Sequence, residues 1–309
     1  MNIESLKNSY NGRVFLIGSG PSIKETPLEL LQEEYTFAAN SIPDIFPETN
    51  WRPSFYACVD DGVDTRYCEE AIELGIPCFF PEKTTRGTPL IESVPTKDNT
   101  LFFESVDLRD RKDLDISTFQ LNSESITSYH DVWSEDITEV VYGYNTIMYH
   151  MMQISHYMGF DEIYLVGNDL YDVFDGYLLF PEAADPAVFQ GDGESTLQNG
   201  IKFLQGSEHP LKSLCNAVAY KTLKSNLFSK LYPRLSNHIE FIDQDNYFSE
   251  NYSDGEIITP EKNRRHVLAH ELAKSVSDEL GFDIYNATVG GHLEVYPRTD
   301  ITTIVGNSK

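Results

Sequence analysis

A chain of 309 residues with 40% hydrophobic and 12% aromatic content has a globular composition, long enough to bury one large α/β core with an insertion. Its formal net charge of −26, from 49 acidic against 23 basic residues, argues against nucleic acid or an anionic membrane surface as partner, since Lys and Arg hold phosphates. No stretch reaches the ~18 apolar residues needed to span a bilayer, and the opening MNIESLKNSYNG lacks the apolar centre of a secretory signal, so the expected location is cytoplasmic.

Cys58, Cys68, Cys78 and Cys215 form no CxxC pair and have no companion His at zinc-finger spacing, so reduced, buried thiols are expected. The first element is Val14 to Ile17, a short apolar run that reads as a buried strand of a parallel sheet. Gly18-Ser19-Gly20-Pro21-Ser22 follows as a tight turn opening a helix. Glycines at 18 and 20 let a ligand approach the backbone, and Ser22 is placed to cap a helix whose N–H groups face an anion. The turn is not a P-loop, because no Gly-Lys-Ser/Thr follows, and it lacks the third glycine of the dinucleotide fingerprint. In so acidic a chain, an anionic nucleotide has to be held mainly by backbone N–H groups, helix ends and hydroxyls.

Pro27 to Glu34 reads as a helix and Tyr35 to Asn40 as a second strand. Asn40, at that strand's carboxyl end, is a candidate site residue, or the start of a turn with Ser41 and Pro43. Pro53 to Val59 is a third strand ended by Asp60-Asp61-Gly62, a pair of carboxylates that can hold Mg²⁺ or a sugar hydroxyl but also suits a plain turn. Thr65 to Leu74 is helical and stops at Gly75, and Pro77 to Phe80 is a fourth strand. Asp107 to Asp115 alternates in charge and reads as a solvated loop or helix face. Leu121 to Val140 is uninformative.

Thr146 to Met158 is helical by period and apolar on most faces, so it should be buried, with its methionines as packing. Gly159 closes it, Glu162 to Val166 is another buried strand, and Gly167-Asn168-Asp169 lies at that strand's carboxyl end as a second half-site facing the first turn. Residues 172–260, with a Pro/Gly/Asp-rich stretch from Phe180 to Asp192 and helical pattern from Leu197 to Leu231, read as an insertion covering the cleft. Glu261 to Leu280 forms a helix stopped by Gly281, with His266 and His270 on one face. Ile284 to Asn286 is a last strand and Gly290 to Arg298 a terminal extended segment. The expected fold is α/β: a Rossmann-like, mostly parallel sheet flanked by helices, with a core over 1–171, a helical and loop lid over 172–260, and a helix and strand returning over 261–309.

Three blocks, FLIGSGPSIKE at 15–25, FAAN at 37–40 and Thr146 to Tyr177, resemble the CMP-sialic acid dependent sialyltransferases of glycosyltransferase family 42. They resemble still more closely the MptE-like family named for 6-hydroxymethylpterin diphosphokinase, to whose closing segment DIYNATVGGHLEVYPRTD at 283–300 is similar. The resemblance implies that Gly18, Ser19, Gly20, Pro21 and Ser22 hold a nucleotide, with Asn40 and Thr146 as further contacts, although the Ser-Gly that follows this Thr in the family is Ile147-Met148 here. It implies that Tyr171 and Tyr177 donate hydrogen bonds to a departing phosphate. It also implies a histidine base near Arg264, for which His266 is the nearest candidate, His270 the next and His209 a weaker rival.

Two activities follow as expectations. One is a glycosyltransferase needing no metal or other cofactor, moving a sugar from a CMP-activated donor to a glycan or surface-polymer acceptor, with Tyr hydroxyls stabilising the leaving phosphate. The other is a diphosphokinase using ATP and Mg²⁺ held by Asp60, Asp61 and Asp169. A catalytically silent nucleotide-binding module is the third reading, and a homo-oligomer is left open.

Overall fold

The computed structural model describes residues 2–59, 65–84, 87–114, 126, 128–170 and 260–306. The chain divides into two compact units, one of Met1–Leu170, Asn246–Ile257 and Arg264–Lys309, the other of Tyr171–Asp245 and Ile258–Asn263. The sheet and the candidate site belong to the first unit. Tyr171, Tyr177, His209, Asp60 and Asp61, and the expected lid over 172–260 apart from its last residue, lie outside the described residues.

Seven strands form one parallel sheet: β1 (Arg13–Ile17), β2 (Tyr35–Ala39), β3 (Phe55–Ala57), β4 (Cys78–Pro81), β5 (Thr100–Phe103), β8 (Glu162–Val166) and β9 (Asp283–Asn286). Their order is β5-β4-β3-β2-β1-β8-β9, and every pairing is parallel. The protein is thus α/β and Rossmann-like. The chain winds outward from β1 to β5, then returns to the other side of β1 to lay down β8 and β9. The direction of winding reverses between β1 and β8, which makes their carboxyl ends the place where such sheets open a crevice.

The apolar runs form strands because successive side chains go to opposite faces and both faces are covered. Val14 and Leu16 join one core with α2 (Ile147–Met158) and α3 (Pro260–Leu280), through Met151, Met152, Leu272 and Val276. Phe15 and Ile17 join the other with α1 (Thr65–Glu73) and the short α4 (Ile301–Gly306), through Cys68, Ile72 and Ile301. Each such side chain contributes roughly 1.5–3 kcal/mol when fully buried. Cys58, Cys68 and Cys78 are free and buried, and burial beside Cys68 pushes the Cys78 thiol up to about 12, so these are packing residues.

α2 is the buried helix its pattern predicts. Thr146 caps it by accepting from the Met148 N–H at 3.2 Å, and Gly159 ends it in the left-handed region at φ 101°. Its buried Gln153 is fully bonded, accepting from the Ser134 and Tyr142 N–H groups and donating to the Tyr142 and Tyr149 carbonyls. That side chain anchors a separate two-stranded parallel sheet of β6 (Ser105–Asp107) and β7 (Val141–Gly143).

Several expected elements differ. Pro27 to Glu34 is not an α-helix but one 3₁₀ turn, Leu28–Leu31, because only a few residues separate Pro27 from the start of β2. The charged run at Asp107 begins inside β6, where Asp107 caps a 3₁₀ turn and takes a bidentate bond from Arg109. The expected extended segment Gly290 to Arg298 makes only an isolated bridge, Asn286 with Arg298, and a short terminal helix follows it. Among the described residues no helix is long and apolar enough to cross a membrane.

Candidate functional site

β1, β8 and β9 are neighbours, and the loops that leave their carboxyl ends meet. Gly18 N–H continues the sheet by donating to Val166 O at 2.8 Å, and Gly20 N–H donates to Gly167 O at 2.9 Å. The approach is close enough to require glycine. A Cβ at residue 18 would lie 2.5 Å from Gly167 O, and one at residue 20 would overlap the Asp169 carboxylate. Gly167 itself is left-handed, at φ 67°. Met148 reaches the same turn from α2, its Cε 3.0 Å from where a Gly18 Cβ would stand. The turns 18–22 and 167–169 therefore face each other as the sequence predicts, and Met148 brings the start of α2 to them.

Ser22 does not act as the expected helix cap. The turn continues as a five-residue 3₁₀ helix, Pro21–Glu25, with Gly20 at its cap position, and the Ser22 hydroxyl donates to Asp169 Oδ2 at 2.9 Å. The Ser22 N–H also points at that carboxylate, 3.3 and 3.4 Å from its two oxygens. Burial raises the Asp169 pKa, and the Ser22 bonds work against that rise. The expectation that the turn's N–H groups are available for a phosphate is corrected accordingly. Those of Gly18, Gly20 and Ser22 are engaged within the protein, Pro21 has none, and Ser19 supplies the N–H that remains.

Asn40 lies at the end of β2, buried and left-handed at φ 50°, a conformation that Asn tolerates well. Its N–H donates to Ala57 O and its carbonyl accepts from the Tyr56 hydroxyl at 2.7 Å, so its backbone joins β2 to β3 beside the site.

On the other side, the Asn168 N–H donates to Thr288 Oγ1 at 3.1 Å and its side-chain amide to His270 Nε2 at 3.0 Å. The Tyr296 hydroxyl donates to the His270 carbonyl and so accepts from His270 Nδ1, 3.1 Å away. These bonds assign the proton to Nδ1 and leave Nε2 as acceptor. Burial, with His266 adding to it, lowers the His270 pKa to about 3. His270 is therefore a neutral tether between α3 and the β8 turn, and it does not fit the role of base. His266 lies one turn earlier on α3 and is partly buried.

Sequence reasoning missed the third loop, after β9. Thr288 N–H donates to Asn286 Oδ1, and His292 N–H donates to both Asp169 O and Leu170 O, at 2.9 and 3.0 Å. Gly290 and Gly291 are both left-handed, and a Cβ at 291 would lie 2.4 Å from Asp169 O. The signal was the Gly-Gly-His triplet a few residues after a predicted strand. Among the described residues no group of three His, Cys, Asp or Glu side chains is arranged to hold a metal.

The fold and these turns define an α/β protein whose glycine loops meet at the switch point of a parallel sheet. In comparison with known proteins, the chain matches no family model and no curated protein.

Proposed function

We propose that the chain is a metal-independent glycosyltransferase that moves a sugar of the nonulosonic type from a CMP-activated donor to a glycan or surface-polymer acceptor. The observation that carries this reading is the meeting of the Gly18–Ser22 and Gly167–Asp169 turns at the reversal point between β1 and β8, where open parallel sheets bind nucleotides. The charge at the site favours this reading over the diphosphokinase. Asp169 places negative charge against the turn and spends both oxygens on Ser22, which suits the single charge of a CMP phosphodiester better than a triphosphate.

In this reading Ser19 and Thr146 hold the phosphate and Asn40 borders the nucleotide. His266 takes the proton of the acceptor hydroxyl as the acceptor oxygen bonds to the anomeric carbon. The bond from that carbon to the phosphate oxygen breaks, and Tyr171 and Tyr177 stabilise the departing CMP.

The test is a binding panel of CMP, CMP-sugars, UDP-sugars and ATP, with and without Mg²⁺, followed by donor hydrolysis. Preference for CMP and CMP-sugars, with hydrolysis lost in Tyr171→Phe and Tyr177→Phe, is the expected result. Preference for ATP with Mg²⁺ replaces the reading with the diphosphokinase, and CMP binding without hydrolysis replaces it with a silent binding module.

A further inference from the structure

The loop after β9 is held by an unusual clamp. The Arg298 guanidinium donates to three backbone carbonyls of that one loop: Nη1 to Gly290 O at 2.6 Å and Thr288 O at 3.4 Å, and Nη2 to Gly291 O at 2.6 Å. Its Nε donates to Glu294 at 2.8 Å, and β9 pairs with Arg298 through the Asn286 bridge. Asn286 completes the frame, donating its amide to Leu293 O and accepting from the Thr288 N–H.

A planar fork of donors on the Thr288, Gly290 and Gly291 carbonyls fixes a turn that two left-handed glycines would otherwise leave loose. The turn so fixed packs on the Asp169 backbone, whereas Gly20 faces the Asp169 carboxylate. Gly291 is against the Asp169 carbonyl, and the His292 N–H closes on Asp169 O and Leu170 O. The turn therefore sits on the residue whose carboxylate locks the β1 turn.

We propose that Gly290-Gly291-His292 is the third wall of the ligand site and that Arg298 is the residue that positions it. That the ligand is a nucleotide rests on the reading above. The positioning role does not.

The experiment uses the full chain and two readouts: hydrogen exchange of the segments 165–170 and 287–293 without ligand, and CMP affinity by calorimetry. Arg298→Lys cannot bridge three carbonyls, so both segments are expected to exchange faster and CMP to bind about tenfold more weakly, while the global melting temperature moves little. Unchanged exchange in Arg298→Lys overturns the positioning role, and faster exchange with unchanged CMP affinity overturns the loop as a wall of the site. If the wild-type chain binds no CMP, the nucleotide reading falls, and the exchange data still decide the role of Arg298.

Discussion

The Asn168 amide donates to His270 Nε2 at 3.0 Å, so a residue at the tip of β8 is tied to the interior of α3 by a neutral imidazole. The consequence is a pH dependence with a definite sign. Burial depresses the His270 pKa to about 3, below the ~6.5 of an unfolded imidazole, so only the unfolded chain binds this proton between those values. Stability from this group is fully present above about pH 6.5 and is lost progressively as pH falls toward 3. Buried His150, lowered to about 4, acts in the same direction. Urea midpoints measured from pH 7 to pH 5 are expected to fall, and His270→Gln, which can still accept from Asn168, should remove about 1.4 kcal/mol per pH unit of that slope. An identical slope in the variant would show that His270 is protonated in the folded chain.

Glycine at 20 is required by space. Its missing Cβ would coincide with the Asp169 carboxylate and stand 2.7 Å from Gly167 O, which is backbone and cannot swing away. Gly20→Ala is expected to break the Ser22–Asp169 contact and cost about 1–3 kcal/mol by denaturant titration, as overpacking does. Gly306→Ala, with nothing within 4 Å of the new methyl, serves as the control and should stay within about 0.5 kcal/mol of wild type. Equal stability of Gly20→Ala and the control would mean that the two turns are not locked.

How much of this was legible beforehand depended on whether the signal was local. The runs at 14–17 and 162–166 announced strands because both their faces are buried, and the glycine turns that follow them mark where backbones must touch. That β8 lies beside β1, which makes two turns into one site, is a matter of topology that no short stretch encodes. The commitment of Ser22 to Asp169 likewise joins residues 147 apart, so the sequence offered Ser22 as a helix cap. β6 and β7, three residues each, escaped because each is too short to show a period and is ordered by pairing with the other, far along the chain. The third wall escaped for the same reason, since the role of Arg298 is visible only once its three carbonyl partners are in place.

Asp169 is a carboxylate held where burial outweighs its hydrogen bonds, so its folded pKa lies above the unfolded value. A raised carboxyl pKa means that the folded chain binds the proton more tightly, and wild-type stability relative to a neutral isostere declines as pH rises through that interval. Asp169→Asn is expected to match or exceed the wild-type melting temperature at pH 7.5, by about 2 °C, and to lose that margin near pH 4. The same variant should bind CMP differently, since it alters the charge at the turn. A variant several degrees less stable at pH 7.5 would identify the ionised Ser22–Asp169 contact as a net stabilising bond.

Thr146 carries two separable tasks in one hydroxyl. Its oxygen accepts from Met148 N–H and caps α2, while its O–H is the donor assigned to the ligand phosphate. An Asp side chain caps helices as well as Thr does and suits the positive end of the helix, but it has no O–H at neutral pH and adds a negative charge. Thr146→Asp is therefore expected to keep stability within about 0.5 kcal/mol while weakening CMP binding at least about tenfold, whereas Thr146→Ala should lose about 1 kcal/mol of stability as well. Thr146→Ser, which retains both functions, should behave as wild type in each assay. If Thr146→Asp binds CMP with wild-type affinity, residue 146 is a helix cap alone, and the phosphate lies away from the start of α2.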